Sequence, residues 1–396
     1  MSTVEIRDVP ALARLQNRAL VMGVIGLAAG AFGAFTNLDQ FFRSYLIGFL
    51  FCLGLALGSL ALLMLQHLSG GQWGLVGRRV FEASSRTLPV LAILFVPLLF
   101  GMTELFLWAR PEAVAGDVIL QKKQPYLNVN FWIGRAVVYF VVWLVMSTLL
   151  NRWSAEQDRG EALTPADSVR FRTVSAPGLL AYVLTMTFAS VDWIMSLDPH
   201  WYSTIFGLLT VVGQGLAALS LTIAVLAAIF PSGALGPYVN ARHFHDLGKL
   251  LLAFVMLWAY LAFSQFLIIW SGNLPEAIPW YLERMRGGWG VLALALVLGH
   301  FALPFAVLLS RDPKRHAGLL SKVALFVIVM RLVDLIWLIA PAFEHHGFPI
   351  HWMDVAIPVG LIGVWLFLFA RQLRSRALLP LNDPYFKEAF AHDGAH

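Results

Sequence analysis

The sequence predicts an all-α integral membrane protein of about ten transmembrane helices. Three observations carry that prediction. Of its 396 residues, 59% are hydrophobic and 13% are charged, against about 25% charge in an ordinary soluble domain. The apolar residues form continuous runs of about 20, the length that crosses a hydrocarbon core. Those runs do not alternate over about ten residues as barrel strands would, so the spans are helices.

In chain order the runs fall at 18–36, 44–66, 88–108, 130–150, 176–197, 201–230, 247–271, 289–310, 319–340 and 353–372. Residues 1–17 mix acids and bases and are too long and polar for the leading part of a signal peptide. The first run therefore reads as a retained span. The division that follows is an arm (1–17), one ten-span membrane domain (18–372) and a tail (373–396). Two loops are longer than the rest. Asn151–Ser175 is polar and is expected to lie along the surface. Arg110–Asn130 contains Pro111, Lys122, Lys123 and Pro125 and is too short for a domain. The tail from Ser375 to His396 reads equally as a disordered end or a partner contact. A shift of about 160 residues lays span two on span six and span three on span seven, putting Gly54 on Gly215 and Glu104 on Gln265. Chance alignment of apolar runs explains this weak repeat about as well.

Orientation follows from basic residues. The arm, the tail and the loops after spans two, four, six and eight hold about 20 Lys and Arg, and the opposite loops about 7. Arg78, Arg79, Arg152, Arg159, Arg170, Arg172, Arg311, Lys314 and Arg315 belong to the rich side. Both termini are therefore expected in the cytoplasm. The net charge of +5 reflects these short loops and gives no signal for nucleic acid.

Cofactor chemistry is restricted. Cys52 is the single cysteine. It supplies neither a disulfide nor the ligand set of an iron–sulfur cluster or structural zinc, and it reads as a small core filler. No Cys-x-x-Cys-His occurs for covalent haem. Haem b needs histidines facing each other across helices, and only His300 lies deep, with His67 at an edge. No phosphate-binding glycine loop occurs in a strand–helix context. His345, His346 and His351, beside Glu344 and Asp354, sit in a short exposed loop of the kind that seldom closes round a metal, and no metal is expected.

Ionisable residues within spans are costly and are candidates for function. Counting along each helix puts Glu104 (span three), Arg135 (span four), Asp192 (span five) and Gln265 (span seven) at one depth, about one turn below the outer surface. A shared polar pocket or proton path accounts for that level; so do separate interhelical hydrogen bonds. Nearer the midplane lie His300, Arg331 and Asp334. The last two are three apart on one helical face and can neutralise each other. They read as a structural ion pair or as a relay step with His300. At the inner end His243, His245, Asp246 and Lys249 are candidates for the mouth of such a path, beside Lys322 at the start of span nine. A solvated loop explains that cluster as well.

One stretch stands apart. Ser190 to Gly207 reads Ser-Val-Asp-Trp-Ile-Met-Ser-Leu-Asp-Pro-His-Trp-Tyr-Ser-Thr-Ile-Phe-Gly. It joins spans five and six and crowds Asp192, Asp198, His200 and Tyr202 among tryptophans. This stretch resembles the signature of one branch of the polysulfide-reductase-related, NrfD-like membrane subunits, the second quinone-type subunit of bacterial alternative complex III. The resemblance extends over nearly the whole chain, although the other spans are generic. It implies two four-helix bundles, spans two to five and six to nine, with spans one and ten outside. It implies a bacterial inner-membrane complex that oxidises quinol. Its partners would be a homologous quinol-binding membrane subunit, an iron–sulfur subunit, c-type haem subunits and, in some complexes, a terminal oxidase. Haem and iron–sulfur clusters would sit in those partners only. For this branch the resemblance implies proton conduction, with quinone (menaquinone) binding left open. Asp192, Asp198, His200 and Tyr202 lie within the matching signature. Two other classes remain: a secondary transporter, which also has midplane charges but would need paired broken spans, and a structural anchor for redox partners.

Overall fold

The computed structural model describes residues 9–159, 169–235, 238–344 and 351–386, which contain helices and no strand. Among the described residues ten helices are long and apolar enough to cross a membrane: Pro10–Thr36, Leu38–Ser69, Gln72–Phe100, Val129–Asp158, Val169–Leu197, Phe206–Ser232, Ala241–Gly272, Gly288–Leu309, Ala317–Ala342 and Met353–Arg374. The chain is an all-α multi-pass membrane protein. These are spans one to ten below. The end holding Asp198–Tyr202 is called the corner end, and the opposite one the tail end.

Span two is hydrophobic on every side, and its apolar stretch is buried throughout, as expected of a helix with no polar face. Small residues set its neighbours. A Cβ on Gly58 would lie 2.1 Å from the Gln214 carbonyl oxygen of span six, and one on Gly48 would lie 2.8 Å from Pro358 of span ten. Spans two and six therefore form the central pair. Spans three to five pack round the first and spans seven to nine round the second, giving two four-helix groups. Spans one and ten pair outside them. A Cβ on Gly26 would lie 2.3 Å from Gly360 Cα, so these backbones touch as small-residue membrane interfaces do.

Three expected boundaries change. Span one begins at Pro10 rather than 18. Pro10 occupies the first helical turn, and Gln16 accepts from Arg374 Nη1 at 2.7 Å, which ties the polar arm to span ten. Span three begins at Gln72, so Arg78 and Arg79 are not in a loop. They are buried with Glu82 inside the bundle. Span four runs on to Asp158, and Asn151, Ser154 and Gln157 are buried. The expected surface loop is thereby reduced; 160–168 lie outside the described residues. Charges enter these helices because they are paired. Glu82 receives Arg78 Nε at 2.9 Å, Arg79 Nη1 at 2.7 Å and the Ser154 hydroxyl at 2.7 Å. Arg79 also pairs with Asp158.

The tail is built into this network. Asp383 accepts from Arg78 Nη1 at 2.5 Å, Asn382 donates to the Gln157 carbonyl at 3.2 Å, and Arg376 donates to the Asn151 carbonyl at 3.1 Å. Leu378, Leu379 and Phe386 are buried. Residues 375–386 are thus packed against the bundle rather than a disordered end; 387–396 lie outside the described residues.

Candidate functional site

The first polar group lies where spans four and five meet at the corner end. Arg135 sits two turns into a helix whose first turn is capped by the Asn128 side chain, which accepts from Phe131 N at 2.9 Å. Asp192 is fully buried at the end of span five. The guanidinium grips it with two prongs, Nε to Oδ2 at 2.8 Å and Nη2 to Oδ1 at 2.7 Å. Tyr139, one turn on from Arg135, donates its hydroxyl to Oδ2 at 2.8 Å. The guanidinium also donates to the Tyr126 carbonyl at 2.9 Å and lies 3.8 Å from the centre of that ring. Such a fork-to-fork pair is both strong and geometrically specific. The space beneath is filled by rings: Phe95 packs on Trp132 at 5.5 Å, on Phe140 at 5.2 Å and on Trp193 at 5.0 Å between centroids.

The expected gathering of four polar groups is only half realised. Arg135 and Asp192 touch. Glu104 does not join them. Gly101 ends span three, and Glu104 falls on the separate short helix Met102–Leu105, where it accepts from neighbouring Thr103 Oγ1 at 2.8 Å. Gln265 belongs to the second group of helices. Its Oε1 accepts from Ser203 Oγ at 3.0 Å and its Nε2 donates to Tyr281 OH at 3.3 Å.

At the corner, Asp198 lies half-buried, while His200 and Tyr202 are exposed. The loop after span three fastens here. Asp117 Oδ2 meets His200 Nε2 at 2.6 Å, and Lys123 Nζ donates to the Pro199 carbonyl at 2.5 Å. The His200 hydrogen bond, with help from the Ile119 and Leu120 N–H groups, holds the Asp117 carboxyl below its usual range. Trp201 stacks on Trp280 at 4.3 Å. Trp280 is in turn covered at 3.8 Å by the guanidinium of Arg284, which is buried and donates to the carbonyls of Trp280 and Leu338. Burial lowers Arg284 to about 9, and burial raises Tyr281 to about 12. Sequence reasoning missed Tyr139, Tyr281 and Arg284. Tyr139 was legible as the residue four on from Arg135, but the two on the short helix Ile278–Met285 carried no signal beyond being an outer loop.

The second polar group lies deep between the two sets of helices. Arg331 and Asp334 of span nine are buried and paired. The guanidinium lies flat on span six, where a Cβ on Gly213 would come within 2.5 Å of its central carbon. On one side is a cavity of about 10 Å³ lined by Arg331, Gln214, Gly54 and Met186, close to the room one water needs. Gln214 accepts from Tyr182 OH at 2.7 Å. On the other side Asp334 lines a groove of about 830 Å³ together with Gln265, Tyr281, Trp258 and Trp337. None of Glu104, Arg135 and Asp192 lines that groove.

His300 stands behind Trp258, edge to face at 4.2 Å. It is fully buried, and among the described residues neither ring nitrogen has a hydrogen-bond partner. It sits in a π-helical segment, Leu296–Ala302. Pro304 accounts for that widening: its ring would collide with the carbonyl four residues back, which is that of His300.

The inner-mouth candidates resolve differently. His243 is a helix cap, with Nδ1 accepting from Asn240 N at 3.2 Å in a reciprocal capping box that starts span seven. Lys249 and Asp246 pair at the surface at 3.0 Å. His245 is half-buried beside them. Among the described residues no group of three His, Cys, Asp or Glu side chains could hold a metal ion. His345 and His346 lie outside the described residues. The sequence matches no protein-family model, and no curated protein matches it significantly.

Proposed function

We propose that this chain is a proton-handling membrane subunit of a bacterial quinol-oxidising respiratory complex of the alternative complex III type, with no redox centre of its own. Quinone-associated membrane subunits, an iron–sulfur subunit and c-type haem subunits would be its partners, and both termini would face the cytoplasm of an inner-membrane protein.

The observation that carries the reading is the run of ionisable and hydrogen-bonding groups from span five across span six to span nine, between the two sets of helices. Tyr182 donates to Gln214; Gln214 and Arg331 both line a one-water space; Arg331 pairs with Asp334. Beyond Asp334, the groove wall holds Gln265 and Tyr281, and Ser203 links Gln265 to the corner. A buried ion pair is weak evidence for stability, since well-packed apolar residues replace such pairs at little cost. An ion pair placed between a water-sized cavity and a groove that Gln265 and Tyr281 also line suits proton exchange better. The Ser190–Gly207 resemblance supplies the respiratory context.

The test is Asp334→Asn in the purified full-length protein reconstituted into vesicles, followed with a pH-sensitive dye under an imposed potential. Proton flux should fall at least tenfold with assembly intact. Wild-type flux in the variant would remove Asp334 from the path. Co-purification of haem-bearing and iron–sulfur partners in fixed ratio tests the complex separately, and a protein purified alone and active in solute uptake would overturn it.

A further inference from the structure

We propose that the pocket at the corner end, between the loop after span three and the end of span five, seats one anionic phospholipid, with its phosphate received by Lys122 and Lys123 and an acyl chain laid along span five.

The pocket, of about 370 Å³, falls in the size range of sites that take a small organic group. Its wall includes Lys122, Lys123, Trp201 and Tyr202 and no acidic side chain. Among the described residues no ion pair joins either lysine to a carboxylate. Lys122 is exposed. Lys123 is half-buried; its Nζ donates one proton to the Pro199 carbonyl at 2.5 Å and keeps two for an acceptor. Burial lowers the pKa of Lys123, although Asp198, outside the pocket wall, acts the other way. Trp201 is buried, and its indole N–H has no acceptor among the described residues. The wall thus holds two cations without a counter-charge and a ring that can only donate. That set fits an anion whose oxygens accept, as those of a phosphodiester do. The rest of the wall is apolar, with Leu127, Val191 and Met195. Val191 heads a stripe with Phe188, Leu184 and Leu180, set three or four residues apart on one face of span five. Those last three are exposed and lead from the pocket into the hydrophobic length of the span. A soluble phosphate would use the lysines alone, whereas a lipid uses the lysines and the stripe. Tyr202 is exposed, with Lys123 Nζ 5.9 Å from the centre of its ring, an aromatic placed as such rings are at head-group level. A choline or ethanolamine head would bring a further cation to a wall with two lysines and no acid. A head of net negative charge, as in phosphatidylglycerol, is therefore selected.

The pocket shares no residue with the groove beside Asp334, so the lipid site stands or falls apart from proton handling. Full-length protein in detergent micelles is titrated with phosphatidylglycerol or with phosphatidylcholine of the same acyl chains, and bound lipid is counted by native mass spectrometry. Phosphatidylglycerol should be retained severalfold more tightly. Lys122→Gln combined with Lys123→Gln should abolish that preference. Lys122→Gln alone removes no side-chain hydrogen bond or ion pair among the described residues; it should weaken the preference and keeps the proposal testable if the double variant misfolds. Lys322→Gln, at the tail end, should leave the preference unchanged. Phosphatidylglycerol with a photoreactive acyl chain should label residues 180–191. Equal retention of the two lipids, or a preference untouched by the Lys122 and Lys123 variants, would overturn the proposal. So would an equal loss in Lys322→Gln, label away from span five, or displacement of the lipid by millimolar inorganic phosphate, which would mark a site for the free anion.

Discussion

Arg135 and Asp192 hold each other through two parallel hydrogen bonds of 2.8 and 2.7 Å, across the joint between spans four and five. The carboxylate has no exposure to solvent, and Tyr139 gives it a third bond. Removing one partner of a buried pair strands the other and costs about 3–5 kcal/mol. Asp192→Ala and Arg135→Ala should each destabilise the purified protein by that amount. Asp192→Leu with Arg135→Met should recover most of it. A double-mutant cycle on unfolding in detergent measures the coupling, and additive single losses would show that the two groups act independently.

At the tail end the corresponding fastening is Asp383 on Arg78. Arg78 keeps Glu82 and Gln157 after Asp383→Asn, so it is not left bare. The expected loss is that of a hydrogen bond to a charged group, about 1.5–3 kcal/mol. Limited proteolysis should then cut the 375–386 segment faster, with the spans intact. Unchanged cleavage would mean that Leu378, Leu379 and Phe386 hold the segment without the charge.

The Asp117–His200 link makes the corner loop sensitive to acid. Asp117 has a folded-state pKa below its ordinary value. Its contribution is therefore present above the unfolded value, near 3.9, and lost as pH falls through the folded one. Hydrogen exchange in the loop should rise as pH drops from about 5 to about 3, after correction for intrinsic rates. Asp117→Asn should show the faster exchange already at pH 5. Equal profiles in the two proteins would place the fastening in Lys123 and Pro199 instead.

The spans were legible because partition into hydrocarbon depends on apolar run length alone. Their ends were not, because a hydropathy reading places Arg78, Arg79 and Glu82 in water, whereas mutual pairing admits them to the bundle. Counting along the helices set Arg135 and Asp192 level with each other, and they meet, because both sit on unbroken helix near the joint. It failed for Glu104 because Gly101 breaks the helix three residues earlier. It could not tell that Gln265 belongs to the other group of helices, since depth carries no information about azimuth. Arg331 and Asp334 were paired from their spacing. The groove beside them was invisible, being made by residues from four spans and the short helix Ile278–Met285.

His300 separates packing from proton handling. A buried donor or acceptor left without a partner costs about 1–3 kcal/mol, and both ring nitrogens are in that position among the described residues. Phenylalanine has a similar outline and would keep the edge-to-face contact with Trp258. His300→Phe should therefore be at least as stable as the parent, with an unfolding midpoint equal or higher. If the imidazole passes protons toward Asp334, vesicle proton flux in the same variant should fall severalfold. A protein that loses flux while holding or gaining stability marks a residue kept at a thermodynamic cost for its chemistry. Wild-type flux with raised stability would instead make His300 a filler within the π-helical segment that Pro304 imposes.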